Sequence, residues 1–220
     1  MMKYKTELHC HSRDGSGCSS ESVEGIVKKY LEYGYSSILL TNHFASSQST
    51  YTPDEWKNKI ASKYSAYDKL VSAADGKLNI LMGLEFRCRD NNNDYLGFGF
   101  TREYLEDLDP EYMKSIRVFS EKVRSDGIFL IQAHPFRYGM VVTNPVYLDG
   151  IEMFNGHPGH QSNNPLADKL ADLYGKIKTS GTDHHDPHHM PCGGILTDDI
   201  ITSESALISV LKSGNYDLIK

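Results

Sequence analysis

The chain has 220 residues, of which 39% are hydrophobic and 24% are charged. This is ordinary globular composition, with enough residues for one α/β domain with a sizeable core, and it excludes a wholly disordered chain. The formal net charge of −6 excludes the basic field that non-specific nucleic-acid binding requires, so we do not expect a nucleic-acid partner. Ten histidines, most of them clustered, are the unusual feature of the composition.

The sequence also predicts where the protein resides. No apolar run approaches the roughly 18 residues that a membrane helix needs. The charged start around Lys3 and Lys5 lacks the apolar core of a signal peptide. The four cysteines are widely spaced, without the pairing typical of a zinc knuckle, and we expect reduced thiols. We therefore predict a cytoplasmic protein with no membrane partner.

Strands and helices alternate through the first half of the chain. Apolar alternation predicts strands at residues 4–11, 37–41, 78–86 and 95–100. Apolar residues at helical spacing predict a first helix over 23–31, with Ser20 as its N-cap and Gly34 just after its end. A capping box at Thr52-Pro53-Asp54-Glu55 begins a second helix, which Gly76 ends.

The alternation continues to the end of the sequence. We expect helices from Asp109-Pro110 to Gly127, from Asn164-Pro165 to Gly175 and over 203–212, strands at 128–133, 151–154 and 177–180, and a short tail at 216–219. This pattern is typical of a parallel sheet covered by helices, either open or closed into a barrel. No repeat or linker interrupts it, so we assign residues 1–220 to a single domain.

Chemically active side chains recur where the predicted strands end. A doubly wound sheet concentrates such residues at one switch point, whereas a barrel of alternating strands and helices collects them from many strands at one mouth. Residues from six strands therefore favour the barrel. They are His9 and His11, His43, Glu85, His134, Asn155 and Asp183.

The histidines of the first two strands are candidate metal ligands. His9 and His11 are two apart on a strand, so both imidazoles project from one face and can bind the same ion. Two hydrogen-bonded histidines near a surface are the alternative. His43 is equally compatible with a histidine that caps the loop after its strand.

Glu85 and His134 follow strongly apolar runs. An unpaired buried carboxylate at Glu85 would be costly, and metal coordination would remove that cost. A salt bridge with Arg87 or Arg89 is the alternative. His134 is held by the following proline, and three residues later Arg137 either points at an oxyanion or is an ordinary surface arginine.

The last cluster follows the strand at 177–180. Asp183 and His185 are two apart and can share a face, whereas we expect His184, His188 and His189 on a mobile loop. We place Asn155 and His157 in the pocket, with a solvated loop as the alternative for His157 and His160. Nitrogen and carboxylate donors without cysteine suit Zn, Mn or Fe, in numbers sufficient for two or three divalent ions.

At this point the sequence resembles the PHP (polymerase and histidinol phosphatase) family of metal-dependent phosphoesterases. The resemblance implies a distorted (β/α)7 TIM-like barrel with a metal cluster at its C-terminal mouth. It covers nearly the whole chain, and its motifs come in family order. They are Glu7-Leu8-His9-Cys10-His11-Ser12, Leu40-Thr41-Asn42-His43, Gly83-Leu84-Glu85 with Ala133-His134-Pro135, and Gly181-Thr182-Asp183-His184-His185.

By position, the resemblance implies three groups of ligands. One ion is bound by His9, His11, Glu85 and Asp183. Glu85 bridges to a second ion held by His134. A third ion is held by His43 and His185.

The sequence departs from the family pattern at three places. Asp94 stands where many members have a ligand histidine and would substitute as an oxygen donor. Asn42 replaces the usual aspartate before His43. Ser16 and Gly17 occupy the places of a further Asp or His ligand, so that Asp14 is the nearest carboxylate.

The function implied is the hydrolysis of a small phosphate ester by metal-activated water. Arg137, with Arg87 or Arg13, would stabilise the charge on the phosphoryl oxygens. The expected partner is a small phosphorylated substrate or a phosphate anion. Three alternatives stay open, namely an amidohydrolase, for which no strand-end lysine is evident, a single-strand exonuclease, and a non-catalytic metal-stabilised module. The sequence leaves the natural substrate, the metal and the oligomeric state open.

Overall fold

The chain folds into one curved β-sheet with helices packed around it. A computed structural model describes residues 3–45 and 50–220. Within these residues the strands are β1 (Tyr4–Cys10), β2 (Tyr35–Leu40), β3 (His43–Ala45), β4 (Asn79–Phe86), β5 (Tyr95–Phe98), β6 (Phe129–Gln132), β7 (Gly150–Asn155), β8 (Ile177–Gly181), β9 (Gly194–Thr197) and β10 (Asp217–Ile219). The α-helices are α1 (Val23–Glu32), α2 (Pro53–Ala74), α3 (Arg102–Asp107), α4 (Ile116–Ser125), α5 (Asn164–Leu173) and α6 (Glu204–Ser213).

The strand order is β10-β9-β1-β2-β4-β5-β6-β7-β8, and β3 pairs with the end of β4. Neighbours are parallel from β1 through β2 to β4 and from β6 through β7 to β8. The prediction of a wholly parallel sheet is wrong for β5, which runs antiparallel to β4 and β6. The eight residues between β4 and β5 are too few for a helical crossover, so the chain has to turn back.

The two ends of the sheet approach each other and nearly close the barrel. The backbone N–H of His11 donates to the His184 carbonyl at 2.9 Å, and that of His184 donates to the His9 carbonyl at 3.3 Å. The buried Glu7 carboxylate joins the same two segments by accepting from the Thr182 backbone N–H at 2.8 Å. The predicted barrel, with β1, β2 and β4–β8 as its staves, is thus confirmed.

Most helix boundaries agree with the local signals, with some corrections. The capping box of Thr52 and Glu55 is present at the start of α2. The N-cap of α1 is Ser22 rather than Ser20. The helix expected from 109 to 127 is two elements, because Ser115 is extended and caps a new helix, α4, after a short 3-10 helix. Three elements, α3, β3 and β9, were not predicted, since each is too short to establish a period.

Apolar side chains fill both faces of the strands. On the face opposite α1–α5, Leu39, Leu81 and Ile131 pack with Leu207 of α6. Leu81 and Glu85 lie four residues apart on β4 and therefore face the same side. The inner apolar layer thus forms a floor beneath Glu85. None of the helices in the described ranges combines the length and apolar character that crossing a bilayer requires.

Candidate metal centre

The fold brings side chains from five strand ends to one buried point. His9 and His11 lie at the end of β1, Glu85 near the end of β4, His134 just after β6, and Asp183 just after β8. All five are 2% exposed or less. The carboxyl ends of the staves meet at one mouth, which is why residues so far apart in sequence become neighbours.

Glu85 lies at the centre of the cluster. Its Oε1 is 3.4 Å from His9 Nε2 and 3.3 Å from His134 Nε2. Its Oε2 is 3.2 Å from His11 Nε2 and 3.0 Å from His43 Nδ1. Each oxygen therefore faces two imidazole nitrogens, an arrangement in which one carboxylate can serve two cations.

Asp183 lies across the cluster from Glu85. Its Oδ1 is 3.3 Å from His9 Nε2, 3.5 Å from His11 Nε2 and 3.2 Å from His185 Nδ1. Its Oδ2 is 3.9 Å from His134 Nε2. The same two carboxylates thus contact all the imidazoles at the strand ends.

The donor atoms fall into overlapping groups whose members lie within 4.8 Å of one another. The central atoms are also unsatisfied, because His9 Nε2, His11 Nε2 and both Glu85 oxygens are buried and make no hydrogen bond with any described residue. Buried polar atoms are nearly always hydrogen-bonded, so several orphans aimed at one point fit a bound cation. The groups are His9, His11 and Glu85; His9, His134 and Asp183; His11, His43 and His185; and His43, Glu85 and Asp94.

The far sides of the imidazoles are held in place. His9 Nδ1 is 2.8 Å from Glu152 Oε1, and His11 Nδ1 is 3.2 Å from Ser16 Oγ. Glu152 also accepts the backbone N–H of His134 at 2.8 Å. A partner on the outer nitrogen sets the tautomer and turns the inner nitrogen toward the centre, as is usual for metal-binding histidines.

Two of the residues at the centre have an unusual backbone. His134 has φ 27° and Asp183 has φ 54°, although neither is a glycine. Such conformations cost about 1–3 kcal/mol each and cluster at functional sites, where the surrounding structure imposes them. Here they turn both side chains inward immediately after the strands end.

The cluster favours the protonation states that metal ligands need. Burial alone would raise the pKa of the Glu85 carboxyl, but the His43 and His9 imidazoles hold that pKa well below its ordinary value. Burial is likewise opposed by His9 at Asp183, whose pKa is also well below the ordinary value. Burial and the nearby His185 lower the pKa of His11 to about 4. Both carboxylates are therefore ionised and His11 is neutral.

Asp94 lies at the edge of the cluster, where two arginines hold it. Arg87 forms a bidentate ion pair with it, in which Nη2 lies 3.0 Å from Oδ2, and Arg137 Nη2 is 3.7 Å from the same oxygen. That oxygen is 3.9 Å from His134 Nε2. The carboxylate predicted to replace a ligand histidine is thus next to the metal-binding groups but is already paired with cations.

A cavity of about 290 Å³ opens over the cluster. Its size suits a small ligand. A larger cavity of about 800 Å³ adjoins β9, β10 and α6, away from the imidazoles, and its charged lining includes Asp198, Asp199 and Asp217. The residues that line the smaller cavity are Cys18, His43, Glu85, Arg87, His134, Arg137, His157, His160, Asp183 and His185.

Three predicted site residues lie elsewhere. Arg13 is exposed and is not part of the cavity lining among the described residues. The Asp14 carboxylate pairs with Lys69 of α2, 2.5 Å away, because its loop turns toward that helix. Asn155, expected in the pocket, is buried behind it and donates at 3.1 Å to both Glu152 and Asp183.

His184 corrects another expectation. We predicted it on a mobile loop, but its side chain is fully buried and packs edge-on against Tyr30, with ring centroids 5.6 Å apart. Its backbone closes the barrel against β1. That pairing joins residues nearly the whole chain apart, so the local sequence gave no sign of it.

The sequence analysis missed three residues near the site. Glu152 is a carboxylate within an apolar strand, the same signal that identified Glu85. His160 Nδ1 is buried and lies 3.7 Å from Asp183 Oδ2. Cys18 lies at the cavity, where, against the effect of burial, hydrogen bonding with His185 and His43 lowers the pKa of its thiol to about 6. Nothing in its local sequence marked it as part of a site.

Comparisons with known proteins rest on the fold. No model of a known protein family matches the sequence, and no curated protein matches it. Three solved structures are similar, each at 14–16% sequence identity.

PsfC from Pseudomonas syringae PB-5123 has a TM-score of 0.71, and the match covers 95% of this chain and 89% of PsfC. A two-domain protein from Bacteroides vulgatus ATCC 8482, which contains a predicted PHP-like metal-dependent phosphoesterase, has a TM-score of 0.65 over 99% of this chain. The present chain spans only 64% of that protein's length.

An amidohydrolase from Chromobacterium violaceum, solved with bound sulfate and no metal, has a TM-score of 0.54, and the match covers 94% of this chain and 96% of that one. At these identities the comparisons establish the fold. The resemblance of the motifs is therefore confirmed at the level of the fold, and the chain has the barrel of the PHP-like metal-dependent phosphoesterases.

Proposed function

We propose that the protein is a metal-dependent phosphoesterase that hydrolyses a small phosphate ester, most readily a phosphomonoester. The observation that carries the proposal is a single cavity in which orphaned buried ligand atoms lie beside two arginines. Cations held by the first group and guanidinium groups at the rim suit a dianionic phosphate.

The residues present fit two or three divalent ions. His9, His11, Glu85 and Asp183 would hold one ion, and Glu85 with His134 would hold a second. His43 and His185 would contribute to a third. Bound ions would lower the pKa of water and polarise the phosphoryl oxygens. Zn, Mn and Fe all accept this mixture of nitrogen and oxygen donors.

The arginines would bind and orient the phosphate. Arg87 and Arg137 line the cavity, and Asp94 holds both at its edge. Preorganised donors need no rearrangement as charge builds on the transferred group, which is why they favour the transition state over the substrate. Asp94 is therefore proposed as a positioning residue for the arginines as well as a neighbour of the second ion.

Hydrolysis of a C–N bond is the second candidate, favoured by the likeness to the amidohydrolase fold. Such enzymes usually use a carboxylated lysine as the bridge between ions. Among the described residues, the cavity lining contains no lysine, and Glu85 occupies the bridging position. The phosphoesterase is therefore preferred.

The test is phosphate release by protein loaded separately with Mn²⁺, Zn²⁺ and Fe²⁺, first with a generic aryl phosphate and then with a panel of phosphorylated metabolites. His134→Ala should lower kcat/KM more than about 100-fold, because it removes a metal donor. Arg137→Ala should lower kcat about 100-fold through loss of an oxyanion donor. His188→Ala and Arg117→Ala, both at exposed positions, are the matched controls.

The proposal fails if no metal gives phosphate release above that of His134→Ala. Release of ammonia or an amine from C–N substrates by the same preparations would instead support the second candidate.

A further inference from the structure

A group of donors lies on the side of the cluster away from His134. His11 and His185 stack with ring centroids 4.1 Å apart, and His11 and His43 lie 4.7 Å apart. One ligand atom from each of these three imidazoles lies within 4.8 Å of the other two. His11 Nε2 is fully buried and has no hydrogen-bond partner among the described residues. This group can accept a cation, but it contains no negatively charged ligand of its own.

The Cys18 thiol supplies an anionic donor at this place. It lines the cavity together with His43 and His185, and its side chain interacts with both imidazoles. A thiolate between two imidazoles is a donor set that zinc and ferrous iron accept readily, whereas Mn²⁺ prefers oxygen.

The loop that carries Cys18 is anchored on both sides of the thiol. Before it, Ser16 Oγ accepts the backbone N–H of His43 at 2.9 Å. After it, the Ser19 hydroxyl and the Ser20 backbone N–H both donate to the His185 carbonyl at 2.9 Å. The contacts therefore tie Cys18 to the same two histidines from both directions, which makes its position a property of the fold.

We propose that Cys18, together with His43 and His185, binds the third divalent ion through its thiolate. Cys18 then takes over the task of the missing Asp or His, for which Ser16 and Gly17 have no suitable side chain. The inference deepens the proposed function, since it concerns the same metal centre, but it does not depend on the substrate. It predicts that this position favours zinc or ferrous iron over manganese.

Cobalt substitution tests the proposal without any assay of turnover. Co²⁺ added to the metal-free protein should give a near-ultraviolet thiolate-to-cobalt charge-transfer band, and the desalted protein should retain three ions per chain. Cys18→Ser should lose the band and one ion. Cys18→Asp should lose the band but keep the ion, because a carboxylate restores an anionic ligand. Cys192→Ser, which changes a partly buried thiol near Gly156, is the control and should keep both.

A Cys18→Ser protein that keeps both the band and the third ion would overturn the assignment. So would a wild-type protein that binds cobalt at the other positions without any thiolate band. Either result leaves the phosphoesterase proposal standing, while a failed phosphatase assay leaves the cobalt result unaffected. Circular dichroism of each variant verifies that the fold is retained.

Discussion

Two buried carboxylates at this site have different tasks, which their hydrogen bonds distinguish. Both Glu85 oxygens face imidazole nitrogens and make no hydrogen bond with any described residue. Glu152, in contrast, accepts from His9 Nδ1 at 2.8 Å, from the His134 backbone N–H at 2.8 Å and from Asn155 Nδ2 at 3.1 Å. We infer that Glu85 is available to a cation, whereas Glu152 orients the residues that bind one.

Replacing Glu152 with Gln should weaken metal binding by about 10–100-fold, because the variant keeps the shape but loses the charge that fixes the His9 tautomer. The affinity can be measured by competition with a chromophoric chelator. Glu111→Gln removes a surface carboxylate paired with Arg89 and should leave the affinity unchanged. Equal affinities for Glu152→Gln and wild type would show that Glu152 has only a structural role.

At the scale of elements, the loop between β1 and α1 is built around its neighbours. Asn42 Oδ1 accepts from the Ser12 backbone N–H at 2.9 Å and from the Ser16 hydroxyl at 3.0 Å, while its Nδ2 donates to Ser12 Oγ at 3.1 Å. Only an amide can accept and donate in this way, which explains Asn42 in place of the family's aspartate. From α2, Lys63 donates to the Gly15 carbonyl. The loop is thus fixed by β2 and α2 together.

Lys63 should make stability depend on pH. Its side chain is 8% exposed, and burial lowers its pKa to about 8 from 10.5. Between these values the unfolded chain still binds the proton that the folded chain has released, so stability rises with pH. Relative to Lys63→Met, the wild-type free energy of unfolding should increase by up to about 1.4 kcal/mol per pH unit between about pH 8 and pH 10.

Urea unfolding of both proteins across this range measures the difference. Lys28→Met, at a lysine whose side chain is 78% exposed on α1, provides the comparison and should give no such trend. Parallel stability curves for wild type and Lys63→Met would contradict the prediction.

At the scale of the whole molecule, the site is where distant parts of the chain are joined. The backbone from His9 to His11 pairs with His184, and the ligand groups come from both sides of that closure. Without a cation, unpartnered polar atoms remain buried at this junction. Metal binding and barrel stability should therefore be linked.

Removing metal should lower the melting temperature, and restoring it should raise the temperature in a concentration-dependent way. A ligand at 100 times its Kd stabilises the folded state by about 2.7 kcal/mol. Calorimetry with and without a chelator, followed by titration with Zn²⁺ or Mn²⁺, measures the shift. Asp183→Asn should reduce the metal-induced shift, and Asp198→Asn, in the cavity beside α6, should not. A melting temperature indifferent to metal would contradict the linkage.

The parts of the site that the sequence revealed are those with local signals. His9 and His11 share a strand face, and Glu85 stands out against the apolar residues before it, so pattern and burial cost were enough to select them. The ligand roles of these residues and the extent of the domain stay predictions. Glu152 carried a similar signal and was overlooked.

The sequence by itself determined the alternation of strands and helices and the residues at each strand end, because period, caps and burial cost act over a few neighbouring residues. Only the tertiary structure decided that β5 turns back, that His184 closes the barrel and that Cys18 lies between His43 and His185. These depend on contacts between segments far apart in the chain, and no local pattern encodes which distant backbone a residue will meet.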